Sequence, residues 1–143
     1  MPPREIPVTE PQPGAGPSGP SVLLVDDDPD MQRWVETVLE STGCRVRRAA
    51  DVVTGLMAVR SVHPDVIVLD LHLPGGGGKV FLERLRKLSE FQKTPVLILS
   101  ANLSPQALTS VQRLGVAGML EKPVSGRLFL QAVLQAARTP RDG

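Results

Sequence analysis

From Ser21 onward, short apolar runs alternate with segments whose apolar residues recur at helical spacing. The runs occupy residues 22–25, 44–49, 66–69, 96–99 and 117–120. Those at 22–25, 66–69 and 96–99 are continuous and built from Val, Ile and Leu, which is how strands buried on both faces of a parallel sheet read. The first intervening segment carries Met31, Trp34, Val35, Val38 and Leu39 on one helical face. Asp28 and Pro29 supply its N-cap and first-turn proline, and Gly43 sits where it should stop. Ser104 and Pro105 open a similar helix bearing Ala107, Leu108, Val111 and Leu114, closed by Gly115. Asp51 and Ser125 cap two more, the second carrying Leu130, Val133, Leu134 and Ala137, and Phe81, Leu82, Leu85 and Leu88 mark the remaining helix. Five βα units with right-handed crossovers predict a doubly wound α/β domain, a five-stranded parallel sheet with helices on both faces. In such folds ligands bind outside the carboxyl ends of the strands.

Composition narrows the function classes. At 143 residues the chain has room for one domain of this kind. Sixteen Lys and Arg against fifteen Asp and Glu leave a net charge of +1, too balanced for the basic field of a dedicated nucleic-acid binder. The lone cysteine, Cys44, cannot form an intramolecular disulfide, and no Cys/His spacing matches a zinc site, which fits a reducing compartment. The apolar runs are far short of the ~20 residues needed to cross a bilayer, and the N-terminus lacks the pattern of a signal peptide, so a soluble cytoplasmic protein with no membrane partner is expected. Residues 1–20 hold seven of the fourteen prolines and read as a disordered Pro/Gly-rich tail. The folded domain is then expected over 21–139, with 140–143 as a C-terminal tail.

Four strands deliver a polar residue where the apolar run ends: Asp26 and Asp27, Asp70, Ser100, and Lys122. Taken singly, each has an ordinary explanation: Asp and Ser after a strand commonly cap a turn or helix, and a Lys there is commonly solvated. Their coincidence at one sheet edge is the informative feature. Crowded carboxylates repel, which raises their pKa values or calls for a cation. Oxygen-only ligands select a hard ion such as Mg²⁺, with Mn²⁺ as the alternative. A carboxylate beside such an ion, with a lysine and a hydroxyl aimed at the same point, suits phosphoryl acceptance: Asp70 attacks in line while Lys122 and the metal offset the charge of the oxygens.

The runs Val-Asp26-Asp27, Val-Leu-Asp70 followed by Pro74 and glycines, Leu-Ser100-Ala101 and Lys122-Pro123 together resemble the receiver domain of bacterial two-component response regulators. The resemblance covers residues 21–138 and every βα unit, with the four motifs in the family's order. It implies a flavodoxin-like (βα)5 fold with strand order 2-1-3-4-5, an order taken over from the family's known chemotaxis member rather than derived from these residues. It also implies Asp70 as phosphoacceptor, and a Mg²⁺ site from Asp26, Asp27, Asp70 and the backbone carbonyl of His72. Ser100 matches the hydroxyl that moves toward the phosphoryl group, with the amide of Ala101 beside it, and Lys122 matches the lysine that pairs with the phosphoryl oxygens across a cis Lys122-Pro123 bond. The implied partners are a histidine kinase or phosphotransfer protein and a downstream protein bound by the fourth helix, fifth strand and fifth helix. Few residues follow Arg138, so a single-domain regulator, or an excised receiver, is expected to signal through protein contacts.

Two departures from the family pattern stand out. The switch position, usually aromatic, is Met119, which can fill an inward or outward site or simply be packed. Four glycines at 75–78 follow Asp70 where one or two are usual, and they predict a mobile loop. Asp28 reads most simply as a helix cap and the His72 side chain as exposed, although it could titrate near neutrality. Arg45, Arg47 and Arg48 read as an edge strand protected by charge.

Two other functions compete. Asp26-Asp27-Asp28 satisfies the Asp-x-Asp motif of haloacid dehalogenase-like phosphatases, but the further acidic pair after the lysine is missing and Asp70 is left without a role. A receiver-like binding module independent of phosphorylation would gain nothing from carboxylate repulsion, so the complete set of site residues argues against it, while Met119 and the run of four glycines keep it open.

Overall fold

A computed structural model describes residues 19–138; of the expected tails at 1–20 and 140–143, all but residues 19 and 20 lie outside the described residues. Among the described residues, strands β1 (Ser21–Val25), β2 (Arg45–Ala49), β3 (Val66–Leu69), β4 (Val96–Ser100) and β5 (Gly118–Glu121) form one sheet in the order β2-β1-β3-β4-β5. All four pairings are parallel. The helices are α1 (Pro29–Glu40), α2 (Val52–Val62), α3 (Gly77–Arg86), α4 (Pro105–Gln112) and α5 (Gly126–Ala137). The flavodoxin-like doubly wound fold and its 2-1-3-4-5 order are therefore as expected. The three continuous apolar runs are the three interior strands, buried at every position, whereas β2 and β5 lie at the edges and are partly exposed. Interior strands must be apolar on both faces, and edge strands need not be. The hydrogen bonding of the folded unit already includes Gly19, which donates to Gly43 O, and Pro20, whose carbonyl accepts from Arg45 N.

Side chains alternate across the sheet and build two cores. One face, with Leu23, Val25, Ile67, Leu69 and Ile98, packs against residues of α2, α3 and α4, including Val59, Phe81 and Val111. The other, with Val22, Leu24, Val68 and Leu99, packs against Val35 and Leu39 of α1 and Phe129 and Val133 of α5. On α5 the observed face is rotated from the expected one. Phe129, Val133 and Ala136 are the buried residues, and Leu130 and Leu134 are only partly covered. Phe129 wins because Trp34 of α1 lies against it, ring centroids 5.3 Å apart.

Polar caps hold the helix starts where the sequence placed them. Asp28, Asp51, Ser104 and Ser125 each accept a backbone N–H from the first turn. Asp51 is held below the usual carboxylate range by the backbone and hydroxyl hydrogens of Thr54. A depressed carboxyl contributes stability above its unfolded value, and that contribution is lost as pH falls through the folded one.

The opposite end of the molecule is tied by Arg86 at the end of α3. Its guanidinium donates to the carbonyls of Phe91 (2.9 Å), Thr94 (2.9 Å), Leu114 (3.1 Å) and Gly115 (2.8 Å). These carbonyls come from the short 3-10 turn Ser89–Phe91 and its exit, and from the turn between α4 and β5, so one side chain joins two connections. Arg86→Met keeps the apolar stem and removes every donor. It is expected to lower unfolding free energy by about 2–4 kcal/mol, read by urea denaturation, because acceptors ordered around a charged donor lose it together.

Candidate phosphoacceptor and metal site

The chemistry-bearing side chains converge at the carboxyl ends of β1, β3, β4 and β5. Asp26 follows β1, Asp70 follows β3, Ser100 ends β4, and Lys122 follows β5. Asp26, Asp70 and Ser100 are buried at 1%, 6% and 0% exposure, an environment in which polar groups need partners. Asp70 Oδ1 accepts from the Ser100 hydroxyl at 2.8 Å and from the His72 amide at 3.1 Å. Asp26 Oδ1 accepts from the Asp28 amide at 3.0 Å. Lys122 Nζ bridges the two acids, 2.9 Å from Asp26 Oδ2 and 3.5 Å from Asp70 Oδ2. The Lys122-Pro123 bond is cis, as expected, and Lys122 N donates to Ser100 O.

One carboxylate oxygen from each of Asp26, Asp27 and Asp70 can be chosen so that all three lie within 4.8 Å of one another. At that spacing an ionised buried pair repels by about 3 kcal/mol at an effective dielectric constant of about 20. Lys122 answers only part of this charge. Desolvation of Asp26 raises its pKa, and the charge of Asp70 adds to the rise, while the Asp28 amide and Lys122 oppose it. Ionising Asp26 therefore costs the metal-free fold stability as pH rises through its raised value. The exposed Asp27 leaves one side of the cluster open to solvent. An all-oxygen donor set with uncompensated negative charge and an open side fits a hard divalent cation.

Lys122 responds in the opposite sense. Desolvation pulls its pKa down, but the hydrogen bond and charge of Asp26, with the charge of Asp70, outweigh it and hold the ammonium above 10.5. Its stabilising contribution is thus complete below that unfolded value and lost as pH rises through the folded one. Lys122→Met is expected to destabilise the metal-free protein at neutral pH by about 3 kcal/mol, since two largely buried carboxylates lose their counter-charge. Paired thermal melts of wild type and variant should show the deficit shrinking in the alkaline range, where Lys122 loses its proton, and again in acid, where the carboxylates gain theirs.

The other residues singled out in the sequence fall as follows. The His72 side chain is exposed, as is Ala101. Asp28 is the α1 cap, its carboxylate oxygen accepting from the Asp30 amide, and it is not a member of the cluster. Met119 is partly buried and packs against the core that contains Val111 and Ile98. Glycines 75–78 have separate backbone duties. Gly75, Gly76 and Gly77 take φ of 92°, 112° and 89°, which L side chains rarely adopt. Gly78 has the backbone of Asp70 and Leu71 where its Cβ would be.

Gln32 is a site residue that sequence reasoning missed. Its Nε2 donates to the carbonyl of Asp26 at 2.7 Å, and its Oε1 faces Arg48 at 3.5 Å, tying the acidic loop to α1 and to β2. A backbone acceptor leaves no mark in the sequence, so nothing distinguished Gln32 from any polar first-turn residue.

Comparison with known proteins agrees with this geometry. The family model described as the response regulator receiver domain matches residues 22–134. Relatives include the KDP operon transcriptional regulatory protein KdpE of Escherichia coli, 36% identical over 117 residues, covering 82% of this chain and 50% of that protein. Protein PilG of Pseudomonas aeruginosa is 30% identical over 115 residues, covering 80% of this chain and 85% of its own. Among solved structures, the chemotaxis protein CheY4 of Vibrio cholerae superposes with a TM-score of 0.77 at 29% identity, over 81% of this chain and 97% of that one. The chain spans half the length of KdpE and 17% of the sensory/regulatory protein RpfC of Xanthomonas campestris. The chain belongs to the response regulator receiver domain family of two-component systems. Among the described residues no helix is long and apolar enough to cross a membrane.

Proposed function

We propose that this receiver accepts a phosphoryl group on Asp70 from a histidine kinase or phosphotransfer protein and passes the signal on by protein contact. The observation that carries the reading is the meeting of Asp70 with Ser100 and Lys122 beside two further acids at one sheet edge. A carboxylate oxygen of Asp70 forms the new O–P bond as the donor's N–P bond breaks, and the electron pair stays with the departing imidazole nitrogen. Mg²⁺ or Mn²⁺, held by Asp26, Asp27, Asp70 and the His72 carbonyl, would supply positive charge to the phosphoryl oxygens. Lys122 pairs with the same oxygens from the other side. Ser100 must give up its bond to Asp70 Oδ1 to reach the phosphoryl group, and the Ala101 amide follows it, so Ser100 is the natural start of the switch. Met119 then occupies the position through which that movement reaches α4, β5 and α5, the surface offered to the downstream protein. The chain is not a conventional enzyme, because it is itself the acceptor and water later removes the phosphoryl group.

Incubation with Mg²⁺ and acetyl phosphate followed by intact-mass measurement tests the reading. One phosphoryl adduct, lost on chelation, supports it. A folded protein with no adduct would leave the binding module that needs no phosphorylation.

A further inference from the structure

A cleft of about 450 Å³ separates the start of α3 from α4. Its size is within the range of small-molecule sites. The opening is built into the backbone. One wall contains Gly76 and Gly77, which contribute no side chain, and the facing wall of α4 offers only Ala107, Ser110 and Val111. These small residues leave the cleft open above the core that α3 and α4 share. The lining is apolar at Leu71 and Val111 and polar at its rim, where Lys79 and His72 sit. No acidic side chain lines it, and Asp70, next to Leu71, has its oxygens turned to Ser100, the His72 amide and Lys122. Neither Lys79 nor His72 has an ion-pair partner among the described residues.

We infer that this cleft binds a small organic anion with an apolar body, its charge at Lys79 and its body against Leu71 and Ala107. Occupancy would also act on the phosphoacceptor, a consequence that rests on the function proposed for Asp70. Asn102 and Ser104 in the loop after β4 line the cleft, and Ser100 lies just before them, with its hydroxyl also accepting from the Leu71 amide at 3.4 Å. A ligand wedged between α3 and α4 holds that loop in place and resists the Ser100 movement that phosphorylation requires.

Three probes of similar shape and different charge test the site on the full chain by amide chemical shifts: benzoate, benzyl alcohol and benzylammonium. Benzoate should saturate in roughly the millimolar range, shifting Gly76, Gly77, Lys79, Ala107 and Ser110. Benzyl alcohol should bind about tenfold more weakly, and Lys79→Glu should make benzylammonium the preferred probe. Ser110→Phe, or Ala107→Leu if that variant fails to fold, should fill the cleft and abolish the shifts. Asp70→Asn should bind benzoate like wild type, so binding is read independently of phosphorylation. Saturating benzoate should slow phosphoryl acceptance from acetyl phosphate about fivefold, and not in Lys79→Glu. Benzoate shifts that are absent, scattered over the surface, or indifferent to both cleft-filling and Lys79→Glu overturn the site. Unchanged acceptance at saturation overturns the coupling alone.

Discussion

Asp70→Asn is expected to reduce phosphoryl acceptance by on the order of 10⁴ or more while leaving the fold in place. The amide keeps one carbonyl oxygen, which can still accept from the Ser100 hydroxyl and the His72 amide, so these two buried hydrogen bonds survive. It loses the negative charge that makes an oxygen nucleophilic and that helps to hold a divalent cation. The variant also removes one member of a repelling cluster, which leaves Lys122 with Asp26 alone at 2.9 Å. Circular dichroism and a thermal melt like those of wild type, with adduct formation lost, are the expected pair of results. Loss of folding together with loss of the adduct would instead make Asp70 a structural residue.

The second large effect is at Gly78. A Cβ there would strike the backbone oxygen of Asp70 and sit 2.8 Å from Leu71 Cα. Both obstacles are backbone, and the Gly78 amide is itself bonded to Leu71 O at 2.9 Å, so neither side can retreat cheaply. Gly78→Ala is expected to destabilise by about 3 kcal/mol or more and to displace the phosphoacceptor loop. Gly75→Ala provides the contrast. Its Cβ would meet Val52 at an ordinary 3.5 Å, so only the positive φ is penalised, at about 1–2 kcal/mol. Urea denaturation of the two variants should separate them clearly, with Gly78→Ala the worse. Equal small losses would mean that the glycines serve looseness and not close approach.

Much of this architecture is legible in the residues because burial on both faces leaves a continuous apolar run, and only interior strands of a parallel sheet demand one. The caps at Asp28, Asp51, Ser104 and Ser125 are legible for a similar reason, as each side chain answers an amide only a few residues away. The α5 face is not, since Leu128, Phe129, Leu130, Val133 and Leu134 offer two adjacent apolar stripes. Contact with Trp34 decides between them. Arg86 and Gln32 escape notice because their partners are distant carbonyls, which every residue type carries. The convergence of Asp26, Asp70, Ser100 and Lys122 was readable because each ends or follows a strand, and the parallel sheet brings those ends to one edge. The individual glycine requirements were hidden for the opposite reason: a run of four looks like looseness until the Asp70 backbone is seen against Gly78.

The most direct test of the account is to find which atom carries the phosphoryl group. The Mg²⁺-dependent adduct made from acetyl phosphate would be reduced with borohydride, which converts an acyl phosphate to an alcohol, and the peptides sequenced by mass spectrometry. The account predicts one modified residue, homoserine in place of Asp70, in the sample with metal and none in the chelated control. Modification at Asp26 or Asp27, or at a residue outside the cluster, would contradict it.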